Sequence, residues 1–310
     1  MPYNFFISPT GWLTVSEQQS FSIFSPANKL IDKIHYSSIP AYNSIKNDYK
    51  INLGSGISIR IFALNEKEYI IPGSTAAFEN YNEENKYYDY LFYTDADKLS
   101  VLAKYQNEDI FIFPGGLNGV SMLGTLRFAI ISSSKILYTH TFHDVTFANT
   151  TAQLTFHIVS PAGNIASEFS VTYQLEAIPD SVIKSFNPSY VEKSNKELRG
   201  SSYKMSKEEK DMCNRIVNAL EQRKYKPPFT ALQSDGAYIF LINDKVESGS
   251  KKYIFTVINS ESGKEVSRFI TSESISGDII KNSYRYVLTT PKDGYPVVQK
   301  YRIDPRVYGK

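Results

Sequence analysis

The chain has 310 residues, 42% of them hydrophobic and 21% charged, with a net charge of +2 and a pI near 8.3. That composition excludes a disordered chain, and a charge this near zero excludes a strong general pull on nucleic acid or a membrane surface. The one cysteine, Cys213, excludes an intrachain disulfide, so folding needs no oxidising compartment.

Tyrosine and phenylalanine are abundant, 23 and 19 residues against one tryptophan. Residues 1–16 carry no basic segment, no long apolar run and no small-residue cleavage site, so export by a signal peptide is not expected and synthesis is placed in a cytoplasm. No run approaches 18 apolar residues, and no membrane-spanning helix is predicted.

From Tyr3 to about Ile178 the pattern is mostly period two. Residues 57–64 put Ile57, Ile59, Ile61 and Ala63 on one face of a largely buried strand. Residues 94–105 fit either a capped helix or a strand, and Leu99, Val101, Ala103 and Tyr105 on one side favour the strand. Strands are predicted at 109–113 and 125–132, joined by a glycine-dense loop. That loop lacks both the Gly-Lys-Ser/Thr of a phosphate cradle and the glycine spacing of a dinucleotide site. Residues 152–175 form a hairpin whose turn holds Pro161 and Gly163.

Residues 179–204 are polar and poor in pattern and read as an extended linker or arm. Ser206 and Glu209 then form a capping box that opens an amphipathic helix over 206–224, ended by Pro227 and Pro228. Between Ser181 and Lys226 stand eleven Lys/Arg and six Asp/Glu, a net of +5, which leaves the rest of the chain at −3. Strands return at 238–242, 253–258, 265–269, 284–289 and 297–303. Two strand–turn–strand units in this stretch are loosely alike, but two such units do not close a propeller. The predicted fold is therefore mainly β: an antiparallel sandwich-like domain over 1–178, a basic linker with one helix over 179–229, and a smaller β domain over 230–310.

No catalytic or cofactor-binding constellation emerges. His140, His143 and His157 are the best metal candidates, yet positions i and i+3 of a strand point to opposite faces unless a turn intervenes. No Glu stands between the first two, so a structural role is expected and no metal is assigned. No Gly-x-Ser-x-Gly elbow occurs, and Cys213 sits inside the amphipathic pattern as a small buried residue. Tyr81, Tyr87, Tyr88, Asp89, Tyr90 and Tyr93 crowd together with further acids. They read as a core or interface strand, with sugar stacking as the alternative. A glycan hydrolase would need two acids about 5–10 Å apart in a cleft.

A β-rich, Tyr/Asn/Ile/Lys-rich chain with no signal, no disulfide and an arm-like linker resembles the virion structural proteins of tailed phages, of tail, collar or baseplate type. The resemblance implies a non-enzymatic subunit, a homo-oligomer meeting other virion proteins through apolar and Tyr-rich contacts, assembled in a bacterial cytoplasm. Neither membrane nor specific nucleic acid is an expected partner. The rival reading is an adhesin-like carbohydrate-binding module that meets a host-surface glycan through the Tyr81–Tyr93 segment.

Overall fold

Inner strands of the middle sheets are apolar on both faces. Along Tyr238–Glu247, Ile239 and Leu241 enter one core, while Phe240 and Ile242 enter another. Ile70 and Ile71 part in the same way, as do Ile136 and Leu137. A sheet packed on one side only would show polar residues at every second position. These sheets are covered on both sides, so each must stand between two neighbours.

The computed structural model describes residues 4–17, 19–39, 41–49, 51, 61–75, 87–95, 98–107, 110–111, 120–121, 125–247, 250–273, 278–289 and 297–310. Five antiparallel meanders follow one another. The first holds β1 (Asn4–Ile7), β2 (Leu13–Ser16), β3 (Ser20–Phe24) and β4 (Leu30–His35), and α1 (Tyr42–Asn47) follows it. The second holds β5 (Phe62–Ala63), β6 (Tyr69–Ser74), β7 (Tyr87–Thr94) and β8 (Leu99–Asn107), and a ribbon of β9 (Ile110–Phe111) with β10 (Val120–Ser121) comes next. The third contains β11 (Leu126–Ser132), β12 (Lys135–His140), β13 (Val145–Ala148), β14 (Thr151–Val159) and β15 (Ile165–Gln174). In it β12 and β13 lie end to end along one edge of β14, and β15 takes the other edge.

Helices α2 (Asp180–Ser185), α3 (Pro188–Arg199) and α4 (Lys207–Arg223) intervene. The fourth sheet is β16 (Ala231–Asp235), β17 (Tyr238–Glu247), β18 (Ser250–Asn259) and β19 (Lys264–Thr271). The fifth is β20 (Ile279–Lys281), β21 (Tyr284–Thr289) and β22 (Val297–Arg302).

The sheets form a closed ring. Contacts run from β2 to β5, β7 to β11, β11 to β16, β16 to β20, and β20 back to β1. Four apolar cores fill the first four junctions. Phe21 and Ile23 meet Ile71 and Phe92, Leu91 and Leu102 meet Ile136, Phe156 meets Phe229, and Phe255 and Val257 meet Ile280. The chain is thus a five-bladed β-propeller. The expected sandwich with a smaller C-terminal β domain is overturned by this closure. The strands were legible, but two apolar faces per strand signalled neighbouring blades rather than two sheets facing each other.

The predicted arm is corrected as well, because residues 180–199 are mostly helical. Asn187 accepts a hydrogen bond from Ser189 N, and Pro188 fills the first helical position of α3. The capping box of Ser206 and Glu209 is present and opens α4 as expected. Met212, Ile216 and Leu220 form a small core with Ile178, Ile183 and Phe186. The helices leave and return through a narrow neck: Ile178 N donates to Lys224 O at 2.9 Å, and Lys226 N donates to Glu176 O at 2.8 Å.

Blades touch through turns too. Gly263 closes the β18–β19 turn at φ +66°, where an added Cβ would stand 2.9 Å from Phe169 Cβ in β15. Gly263→Ala is expected to cost about 1–3 kcal/mol in chemical denaturation, from left-handed backbone strain and the clash together. A loss below about 0.5 kcal/mol, the range of an ordinary surface change, would show that the turn and β15 part freely.

Candidate functional site

The three sequence-singled histidines come together where the second and third blades meet. The turn at 141–144 breaks the edge strand between β12 and β13, and it carries His143 and Asp144 back across β8. Asp144 is the hub. Its Oδ2 accepts from Tyr105 OH at 2.8 Å and from His140 N at 2.6 Å, and its Oδ1 lies 3.3 Å from His157 Nε2. The other ring nitrogen, His157 Nδ1, meets Glu168 Oε1 at 2.5 Å.

His140 Nδ1 accepts from the backbone N–H groups of Phe142 and His143 at 3.2 Å each, so the ring proton sits on Nε2, which faces Asp89 Oδ2 at 3.7 Å. His143 Nε2 donates to Gln106 O at 2.5 Å. Among the described residues no group of three or more His, Cys, Asp or Glu is placed to hold a metal ion.

The acids are tuned to stay charged. Burial alone would raise the Asp144 carboxyl, but the hydrogen bonds from His157, His140 N and Tyr105 outweigh it and hold the group below its usual value. Burial and the neighbouring Asp144 push the Tyr105 phenol far above its ordinary range, so it donates a proton in a hydrogen bond and does not ionise. His157 is raised, first by its hydrogen bond to Asp144 and further by Glu168. The cluster ties β7 and β8 to the third blade.

The Tyr-rich segment lies on the neighbouring strand, β7. Asp89, Tyr90 and Tyr93 are buried, and Tyr88 is partly buried. Tyr90 stacks on Phe92 within the core of the first two blades, whereas Tyr93 points the other way and donates to Glu68 Oε1 at 2.8 Å. Asp89 accepts from Ser74 Oγ at 2.5 Å and from Leu126 N at 3.3 Å, tying β7 to β11. Tyr81 lies outside the described residues, as does the side chain of Tyr87.

A concave site lies on the axis of the ring. Its walls are the first strands of all five blades, β1, β5, β11, β16 and β20, so it is the axial cavity of the ring, about 550 Å³ in volume. Phe62 meets Phe6 and Phe128 edge-on at 4.7 and 4.9 Å on one side. Lys281 and Arg127 line it with Gln233, Asp235 and Asp278. Only closure of the ring brings these distant residues together, and no local spacing announces them.

No protein-family model matches the sequence, and a search of curated proteins finds no relative. Among solved structures, Hsv2 of Kluyvelomyces marxianus is similar at 8% identity and a TM-score of 0.34, over 97% of this chain and 72% of that one. A variant of the Synechocystis apocarotenoid oxygenase is similar at 10% identity and a TM-score of 0.35, over 98% of this chain and 57% of that one. Sqt1 of Saccharomyces cerevisiae is similar at 8% identity and a TM-score of 0.25, over 95% and 72%. The propeller assignment stands on the ring of blades itself.

Proposed function

We propose that the chain is a non-enzymatic structural subunit of a multi-chain assembly, with its outer rim and helical module as the contact surfaces. What carries this reading is apolar exposure at the perimeter. Leu30 of β4, Val298 and Tyr301 of β22, and Tyr190 and Leu198 of α3 are each about half exposed or more, Leu198 reaching 80%. Scattered single apolar residues are ordinary on a surface, but two outermost strands and one projecting helix carrying them together suit subunit contacts. The module is basic, which adds charge complementarity to an acidic neighbour. With the arm replaced by helices, composition alone carries the likeness to tailed-phage virion proteins. The assembly reading does not depend on that setting.

The neck makes the test clean. Replacing residues 179–223 with a short Gly/Ser turn between Ile178 and Lys224 removes the helices at a point where the two chain segments are already hydrogen-bonded. Mass measurement is expected to show that the full chain associates, and that the excised chain shifts toward monomer while keeping its β circular dichroism and cooperative melting. A full chain that stays strictly monomeric at high concentration overturns the reading.

A further inference from the structure

We propose that the axial cavity is a binding site for a small oxyanion carried on a flat apolar body, with Lys281 as its charged anchor. Lys281 is the last residue of β20, the innermost strand of the fifth blade, and only 6% of it is exposed. Its Nζ donates to Ile7 O of β1 at 3.4 Å, across the junction between the fifth and first blades. That is one long bond for a group with three donors, and it forms no ion pair among the described residues. An unpaired buried ammonium is costly, and an anion in the cavity would relieve that cost.

The acids nearby are already committed. Asp235 receives Asn282 N at 2.6 Å, Ser283 N at 2.7 Å and Tyr308 OH at 2.7 Å. Asp278 is paired with Arg285 Nε at 2.6 Å. Both carboxylates are held by these partners and form no ion pair with Lys281, though the Asp235 charge still favours its ammonium. Burial pulls the lysine down to about 8, with Asp235 opposing, so the group is still mostly cationic at neutral pH. Arg127, on β11, adds a second positive group to the lining of the same cavity.

Three phenylalanines of the first three blades set the rest of the ligand. Phe6, Phe62 and Phe128 form a continuous edge-to-face set, each partly exposed. Their rings offer contact to an aromatic or planar aliphatic body. A volume of about 550 Å³ lies within the range of small-molecule sites. The anionic head could be a carboxylate or a phosphate monoester; both satisfy an ammonium, and the two are separable by experiment.

The test uses the intact chain with four probes: 3-phenylpropanoate, phenyl phosphate, the neutral 3-phenylpropanamide and inorganic phosphate. Titration calorimetry at pH 7 is expected to show binding of at least one aromatic anion. The amide and inorganic phosphate should bind about tenfold or more weakly, as loss of a charge-assisted hydrogen bond or of the apolar body requires. The aromatic anion that binds identifies the head group. Lys281→Met should fold, since it removes a buried charge, and should lose the anion preference by the same factor. Binding of neither aromatic anion overturns the proposal. So does equal binding of the amide, which needs no variant, or undiminished anion binding by Lys281→Met.

Discussion

Replacing Phe156 with alanine is expected to lower the unfolding free energy by about 3–5 kcal/mol, the cost of removing a fully buried aromatic ring. Phe156 has no exposed surface. It lies in the core between the third and fourth blades, stacked on Phe169 at 5.1 Å and facing Phe229 at 6.2 Å. Phe169 sits on β15 and Phe229 just precedes β16, so the stack joins the strand before the helical excursion to the strand after it. Deleting the ring leaves a cavity whose walls belong to two blades, and neither can collapse without moving the other. For a chain of this length the melting temperature should fall by about 5–8 °C. A Phe156→Ala loss below about 1 kcal/mol would show that the junction adapts, and that the ring is not closed by packing there.

Much of the secondary structure was legible because local chemistry specifies it. Ser206 and Glu209 open α4 at the position their spacing requires. The hairpin through Pro161 and Gly163 is β14 and β15, and the ambiguous stretch after Thr94 is the strand β8. Ring closure was not legible, since it depends on contacts such as β20 with β1, hundreds of residues apart. The decisive local clue was the double-faced apolar character of strands like Tyr238–Glu247, which suits a blade between blades better than one face of a sandwich. Helices α2 and α3 are faint in the sequence because their buried residues are sparse, although Asn187 and Pro188 form a start signal. The histidine cluster turned on one detail, the turn at 141–144, which lets His140 and His143 come within 4.6 Å between ring centres. Lys281 carried no signal in the sequence, where it reads as one surface lysine among many.

The second large effect belongs to Asp144. Asp144→Ala is expected to cost about 3 kcal/mol, because it strips the acceptor from Tyr105 OH and His140 N and leaves His157 beside Glu168 alone. The same change should alter the pH dependence of stability. His157 is raised in the folded state, so its contribution is complete below the unfolded value of about 6.5 and is lost as pH climbs through the raised value. Asp144 is lowered, so its contribution is present above the unfolded value of about 4 and is lost as pH falls through the lowered one. The wild-type chain should therefore be most stable between about pH 4 and 6.5 and weaken toward pH 8. Above that, Lys281 acts in the opposite sense: its folded value of about 8 lies below the ordinary lysine value, so losing its proton adds stability. Urea unfolding at pH 5.5 and 7.5 stays below that crossing, where the lysine contribution is small. Asp144→Ala should flatten the decline between those two points, and His157→Gln should abolish it with a smaller loss at pH 7.5 than at pH 5.5. An unchanged slope in both variants would place the titrating group elsewhere and reduce the cluster to ordinary packing.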